Sequence, residues 1–175
     1  MSDRVDSIRA KVFRDEAATV WAIFDGASVP DLRQQLSDHE PEHACLFRGD
    51  LEPDMQEVAP YLVKLDPNGP ITEWVLEKGW GQHWCIFSEG PDDFIKLRSH
   101  FRSFIEVHDP AGKPMYFRYY DPRVMRVYLP TCNSEELQTI FGPMQSYMME
   151  DENPAVMLRF RLKEGSLAKQ TETIA

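Results

Sequence analysis

The amino-acid sequence predicts a single α/β domain of the α+β kind, with a mixed β-sheet of about five to seven strands and helices packed on it. Three observations support this prediction. The chain has 175 residues, which is the size of one domain and is enough to enclose a hydrophobic core. Short apolar runs that end at turn residues indicate strands, and apolar residues spaced three or four apart indicate helices. The two kinds of segment alternate along the chain, which is typical of a sheet with helical layers.

The first half of the chain contains four candidate strands and three candidate helices. The strands are predicted at apolar runs bounded by turn residues: 20–24, 45–47, 61–65 and 84–87. The helices are predicted by apolar residues at helical spacing. One begins at about Ser28 with Leu32 and Leu36 inside, and one runs from Ile71 to Glu77 and stops at Gly79. A third is capped by Asp92 or Asp93, with Phe94, Leu97, Phe101 and Phe104 inside.

The second half begins with a predicted hairpin, in which residues 104–108 turn at Asp109–Gly112 into a strand over Met115–Tyr120. Both faces of that strand are bulky, so we expect it inside a covered sheet. The following helix should have Asp121 as its N-cap and Pro122 as its first residue. The remaining predictions are these: Val124, Val127 and Tyr128 face inward, Ser134 caps a helix with Leu137, Ile140 and Phe141 inside, and strands occupy 145–149 and 155–163.

The two ends of the chain are predicted to lie outside the folded domain. Residues 1–17 are interpreted as an N-terminal extension, residues 18–163 as the domain, and the polar residues 164–175 as a flexible C-terminal tail. The N-terminus has no signal-peptide pattern, and no apolar run approaches the ~18 residues of a membrane span. Three cysteines without a C-x-x-C pair indicate free thiols. We therefore expect a cytoplasmic protein that does not contact a membrane.

The charge of the chain restricts the classes of partner. Its formal net charge of −10 disfavours nucleic acid as a partner, because neutralising phosphates needs a basic surface. Within this acidic chain, Pro114–Pro130 holds five aromatic residues and three arginines, Arg118, Arg123 and Arg126. A strand of this composition could stack RNA bases, but the acidic balance disfavours that role. The arginines either pair with the chain's own carboxylates or bind a partner, and the sequence leaves both possibilities open.

Sequence motifs give little support for catalysis, and we predict no catalytic residue, no cofactor and no metal ligand. His39–His43 spells H-E-x-x-H, but Pro41 disfavours the helix that would bring both histidines to one zinc ion. An enzymatic alternative to a non-catalytic protein stays open: a small cytoplasmic enzyme whose site is assembled from distant residues, such as Cys132, His83 or His108 with a carboxylate. A third possibility is a purely structural subunit of a homo-oligomer.

Several short motifs follow one another along the chain: Asp25-Gly26-Ala27, 58–63, Gly79-Trp80-Gly81, 117–124, Leu129-Pro130 and Phe141-Gly142-Pro143. The most specific of them is R-x-Y-D-P-R-V at 118–124. In this order the motifs resemble one protein family, the adaptor/chaperone family of bacterial type VI secretion, first catalogued as a domain of unknown function. The resemblance covers about residues 18–150.

The resemblance implies a non-enzymatic adaptor or chaperone, with the adaptor domain at 18–163. Proteins of this kind hold a toxic effector and help to load it onto the valine-glycine-repeat (VgrG) spike of the secretion machine. The implied partners are a cognate effector and the C-terminus of the spike. Under this hypothesis the partner-binding residues are predicted to be Arg118, Tyr120, Arg123, Arg126 and Trp80.

Overall fold

A seven-stranded β-sheet forms the centre of the protein, whose computed structural model describes residues 3–175. Its strands are β1 (Thr19–Asp25), β2 (His43–Cys45), β3 (Pro60–Leu65), β4 (Cys85–Gly90), β7 (Ser146–Glu150), β8 (Val156–Lys163) and β9 (Ser166–Thr173). Across the sheet they follow the order β2-β3-β1-β4-β7-β8-β9. The predicted fold class and strand number are confirmed. All pairings between the described strands are antiparallel, however, where a mixed sheet was expected. Strands buried on both faces are continuously apolar in either kind of sheet, so their composition does not reveal direction.

Seven α-helices accompany the sheet in the part of the chain that the structure describes: α1 (Asp3–Val12), α2 (Leu32–His39), α3 (Pro53–Val58), α4 (Pro70–Trp74), α5 (Phe94–Ser103), α6 (Pro122–Tyr128) and α7 (Ser134–Phe141). A π-helical turn at Val75–Gly79 extends α4, and short 3-10 turns lie at Gly26–Ser28 and Leu129–Thr131. No helix between residues 3 and 175 is long and apolar enough to span a bilayer.

The helix N-termini follow the sequence predictions in two cases and depart from them in a third. The side chains of Asp93 and Asp121 accept backbone N–H groups at the starts of α5 and α6, as predicted. The α7 helix is capped by Asn133 and not by Ser134. Asn133 accepts two backbone N–H groups, and Glu136 accepts the N–H of Asn133, which completes a capping box.

Helices cover both faces of the sheet, so the central strands β1, β4 and β7 are buried along nearly their whole length. On one face, Trp21 stacks on Phe94 of α5, and the Tyr147 hydroxyl donates to the Ile140 carbonyl of α7. On the other face, Phe24 packs against Trp74 at the end of α4. This second face also carries charge, which is unusual for a core.

That buried charge is centred on Arg159 of β8, whose side chain is fully enclosed. It pairs with Glu89 of β4 at 3.0 Å and with Glu172 of β9 at 3.1 Å. A third nitrogen donates to the carbonyl oxygen of Lys11, near the end of α1, at 2.5 Å. The guanidinium therefore connects the first described helix to three strands of the sheet.

Both ends of the described chain belong to the fold, which corrects the predicted extension and tail. The α1 helix buries Val5, Ile8 and Val12 in the core. Residues 166–173 form β9, which pairs with β8 along its full length, and Ile174 is buried. The prediction failed because β9 is an edge strand whose outward side chains are polar, and its hydrophobic signal is correspondingly weak.

The predicted hairpin is present but differs in position and burial. Its strands, β5 (Glu106–His108) and β6 (Pro114–Tyr116), form a separate two-stranded sheet. The strand predicted over Met115–Tyr120 inside a covered sheet is therefore wrong, since all three residues of β6 are exposed and the backbone leaves the strand after Tyr116. On α6, Val127 is 64% exposed and not inward, whereas Met125 is buried.

Candidate functional site

The clustered arginines Arg118, Arg123 and Arg126, here called the arginine corner, lie near two buried aspartates. Asp25 is at the end of β1, and Asp121 is at the start of α6. Asp25 ends β1 and is 1% exposed, and its carboxylate accepts a hydrogen bond from Ser28 Oγ at 2.7 Å. The Arg118 guanidinium forms a salt bridge with the same carboxylate. Burial lowers the pKa of Arg118, but the hydrogen bond to Asp25 and the negative charges of Asp25 and Asp121 together outweigh it, so the net shift of the pKa is upward. Arg118 therefore neutralises a carboxylate of its own chain.

The second aspartate, Asp121, performs two tasks at the start of α6. It accepts the backbone N–H of Arg123 at 2.9 Å, which is the capping contact. It also binds the Arg123 guanidinium in a bidentate manner, with Nη2 to Oδ2 at 2.8 Å and Nε to Oδ1 at 3.0 Å. Burial alone would raise the pKa of Asp121, but the hydrogen bonds and the positive charge of Arg123 hold it below its ordinary value.

The other predicted partner-binding residues are more enclosed than expected. Tyr120 is 3% exposed, and burial together with the charge of Asp25 raises its pKa to about 12. Trp80 is 6% exposed, stacks on Phe87, and donates its indole N–H to the Pro154 carbonyl at 2.7 Å. A partner could reach only small parts of these two rings.

Arg126 differs from the other two arginines of the corner. It lies half-buried on α6, and its Nη1 is enclosed without a hydrogen-bond partner among residues 3–175. The structure thus brings Arg118, Tyr120 and Arg123 together around Asp25 and Asp121, while Arg126 takes no part in that ion-pair network. Whether any of them contacts a partner stays a prediction.

The residues of the enzymatic alternative have separate surroundings. The Cys132 thiol contacts the Tyr128 carbonyl at 3.5 Å, and burial raises its pKa, which disfavours the reactive thiolate. His83 Nδ1 lies 2.5 Å from Glu150, and His108 lies on the exposed strand β5. No hydrogen bond connects any two of Cys132, His83 and His108 within the described residues.

The H-E-x-x-H segment does not adopt the geometry that zinc chemistry requires. His39 ends α2, and Glu40 has φ of 45°, which terminates the helix. His43 then begins β2 and its ring contacts the Pro41 carbonyl at 2.7 Å. The two histidines therefore do not share a helical face, as the proline predicted. Among residues 3–175 no group of three or more His, Cys, Asp or Glu side chains could hold a metal ion.

Two neighbouring large apolar side chains are exposed on the β5–β6 hairpin, which was predicted to lie in the interior. Met115 is 50% exposed and Tyr116 is 56% exposed. Tyr116 stacks on Phe47 of the loop that follows β2, with ring centroids 4.6 Å apart. The sequence carries one signal for this arrangement: only four residues separate Tyr116 from the cap Asp121, too few for the strand to continue through a covered sheet and still turn into α6.

One cleft in the described part of the chain has a volume of about 590 Å³. It lies between the loop before β1 and the turn from β3 to α4, and residues of the α2–β2 loop complete it. Its lining is mostly apolar, with Phe13, Val20 and Ile71, and includes the charged groups Glu42 and Lys64. None of the predicted site residues lines this cleft.

Comparison with known proteins finds a family that matches the chain. The sequence pattern of a family described as Domain of unknown function (DUF4123) matches residues 20–139, about two thirds of the chain. No curated protein matches the chain significantly, and no solved structure does. The matched range begins in β1 and ends within α7, so it includes both aspartates of the arginine corner and the hairpin.

Proposed function

The chain belongs to the DUF4123 family, and on that basis we propose that it is a non-enzymatic adaptor or chaperone that binds a cognate type VI secretion effector. In this proposal it helps to load the effector onto the C-terminus of the VgrG spike, works in the bacterial cytoplasm, and does not bind nucleic acid or membrane. The order of motifs from Asp25-Gly26 to Phe141-Gly142-Pro143, which resembles the secretion adaptors, supports the identification.

The observation that carries the proposal is the exposure of the β5–β6 hairpin. An isolated two-stranded hairpin has little stability of its own in water, because it buries little apolar surface. This hairpin has three residues per strand and leaves Met115 and Tyr116 in solvent. Exposed apolar side chains on an element that stands apart from the main sheet are typical of a surface that a protein partner covers.

The arginine corner supports the proposal indirectly, by fixing the base of the hairpin. The backbone N–H of Phe117 donates to the Ile105 carbonyl at 2.8 Å and closes that base. Arg118 then pairs with Asp25, and Asp121 caps α6. The exposed side chains are therefore attached to a rigid joint, and a preorganised surface loses less entropy when it binds.

The enzymatic alternative has less support. Its candidate residues lie in different parts of the fold, and the Cys132 thiol has a raised pKa. A binding role requires only a surface, and the hairpin provides one.

Co-expression with the effector encoded beside this gene tests the function. We expect the two proteins to co-purify, and we expect the effector to be less soluble when it is expressed alone. An effector that is equally soluble alone and that does not co-purify would overturn the adaptor proposal.

Variants of the hairpin test the surface within the same experiment. We expect the double variant Met115→Ser with Tyr116→Ser to reduce co-purified effector at least fivefold, with the melting temperature of the isolated protein nearly unchanged. Ile95→Ser is the matched control, because Ile95 is 72% exposed on α5. Equal loss of effector in both variants would show that general surface hydrophobicity, and not the hairpin, is responsible.

A further inference from the structure

Three neighbouring arginines have no carboxylate partner among residues 3–175. Arg48 is exposed in the loop after β2, and Arg98 and Arg102 are half-buried one turn apart on α5. Within residues 3–175, no carboxylate oxygen lies within 4 Å of their guanidinium nitrogens, whereas Arg33, Arg118, Arg123 and Arg159 each have such a partner. In a chain with a net charge of −10, an unbalanced cationic cluster requires an explanation.

Arg102 is held in place by contacts that leave its charge unneutralised. Its Nη2 donates to the Cys45 carbonyl at 2.6 Å and reaches the Phe47 carbonyl at 3.5 Å. Its Nε is buried without an acceptor in the part of the chain that the structure describes. Burial lowers the pKa of Arg102, and repulsion from Arg98 and Arg48 lowers it further. The surrounding chain therefore fixes the position of this guanidinium but supplies no anion for it.

A pocket of about 290 Å³ lies against this cluster. Arg48, Arg102 and Ser103 give it a polar wall, and the stacked rings of Phe47 and Tyr116 give it an aromatic wall. Glu106 also lines the pocket, but it forms no salt bridge to either arginine among the described residues. A cavity of this size suits one or two side chains of a partner better than a larger ligand.

We propose that this pocket is the binding site for an acidic segment of the partner protein, in which a carboxylate contacts Arg48 and Arg102 and a neighbouring apolar side chain packs on Phe47 and Tyr116. The inference rests on the proposed function, since it assigns a chemistry to the partner of the same hairpin. Guanidinium groups pair with carboxylates through directed double hydrogen bonds, which gives specificity as well as affinity.

A protein segment fits this site better than a nucleic acid does. Binding along a phosphate backbone requires cations at regular intervals over a long surface. Here three arginines form one cluster, and acidic residues such as Asp50 and Glu106 lie around it. A single carboxylate beside an apolar group matches both walls of the pocket.

Two labelled octapeptides provide the test: one has four glutamates around a single phenylalanine, and the other has four lysines in the same positions. The net charge of the whole chain would favour the lysine peptide. The site favours the glutamate peptide, and we expect it to bind at least tenfold more tightly by fluorescence anisotropy. Equal or weaker binding of the glutamate peptide would overturn the proposal.

Variants locate the binding. We expect Arg48→Ser with Arg102→Ser to weaken binding of the glutamate peptide at least tenfold, because both arginines line the pocket. The control, Arg33→Ser with Lys78→Ser, changes the net charge equally but removes cations that already pair with Glu57 and Glu77, and it should stay within twofold of wild type. If the double variant does not fold, Arg48→Ser alone serves, because Arg48 is exposed. Wild-type affinity in the folded Arg48 and Arg102 variant, or in Arg48→Ser where the double variant does not fold, would contradict the assignment.

Two further comparisons distinguish a nucleic-acid ligand from a protein segment, and failure of the site from failure of the adaptor function. An eight-nucleotide thymidine strand that binds more tightly than the glutamate peptide would replace the protein segment with a nucleic acid and overturn the proposal. If the effector co-purifies but the glutamate peptide does not bind, the site fails and the adaptor function stands. If the peptide binds as expected but no effector co-purifies, the site stands and the adaptor function fails.

Discussion

Two groups of arginines in this protein differ in how their charge is balanced. Arg118 and Arg123 each bind a buried aspartate of the same chain, Asp25 and Asp121. Arg48, Arg98 and Arg102 have no carboxylate within salt-bridge distance in the described residues, and a pocket lies beside Arg48 and Arg102. The first group lies in the R-x-Y-D-P-R-V segment at 118–124, and the second lies outside it.

This difference shows that clustering along the sequence and availability for binding are separate properties. Arg118, Arg123 and Arg126 occur within nine residues, so they stand out in the sequence. The buried aspartates that neutralise the first two are 93 and 2 positions away from their partners. The unpaired group is scattered from residue 48 to residue 102, and the fold brings it together.

Among the changes to Asp121, Arg118 and Arg48, the loss of Asp121 should reduce stability most. We expect Asp121→Ala to lower the free energy of unfolding by about 3 kcal/mol, because the variant loses the helix cap and leaves the charged hydrogen bonds of Arg123 unmade. Urea unfolding of the isolated protein measures this. Asp121→Asn is the matched control, since asparagine retains the cap but not the charge, and it should cost less. An equal loss in both variants would assign the whole effect to charge.

The pH dependence of stability should identify the charged part of that effect. Because the pKa of Asp121 is lowered in the folded protein, its contribution is present above the unfolded pKa of ~3.9 and is lost as the pH falls through the folded value. We therefore expect the stability difference between wild type and Asp121→Asn, about 2 kcal/mol at pH 7, to shrink below pH ~4. Urea titrations at several pH values between 3 and 7 measure it, and a difference independent of pH would contradict the ion-pair explanation.

Substitution of one arginine from each group should give the smallest effects and the clearest contrast. We expect Arg118→Met to reduce stability by about 1 kcal/mol, because within residues 3–175 it leaves the buried Asp25 carboxylate with the Ser28 hydroxyl as its remaining side-chain hydrogen-bond donor. Arg48→Met should change stability by less than about 0.5 kcal/mol, as is usual for an exposed residue. Thermal unfolding of both variants measures the contrast. A larger loss for Arg48 than for Arg118 would reverse the assignment of the two groups.

Local signals in the sequence were sufficient for many elements of the fold. The Asp121-Pro122 pair located the start of α6, and Asp93 located that of α5, because capping chemistry acts between neighbours in the chain. Leu137, Ile140 and Phe141 were correctly predicted to face the core. These features depend on contacts a few residues apart.

Features that depend on contacts between distant residues could not be predicted from local sequence signals. The polar strand β9 exists because β8 offers it a complete row of hydrogen-bond partners, which its own sequence does not reveal. Val127 lies at a helical spacing that fits the core, yet α6 is turned so that Met125 occupies the interior instead. For the candidate site, sequence identified the arginines of the corner but could not show that Asp25 neutralises Arg118.

The buried Arg159 also sets an order of events during synthesis. Its partners are the Lys11 carbonyl near the beginning of the chain and Glu172 near the end. A ribosome that has released the first 160 residues has therefore delivered the arginine and the helix, but not the second carboxylate. Contacts this far apart in sequence slow folding, since a long loop must close before they form. The ion pair between Arg159 and Glu172 can form only after β9 has emerged. Until then, other interactions or cellular components must protect the nascent chain from aggregation.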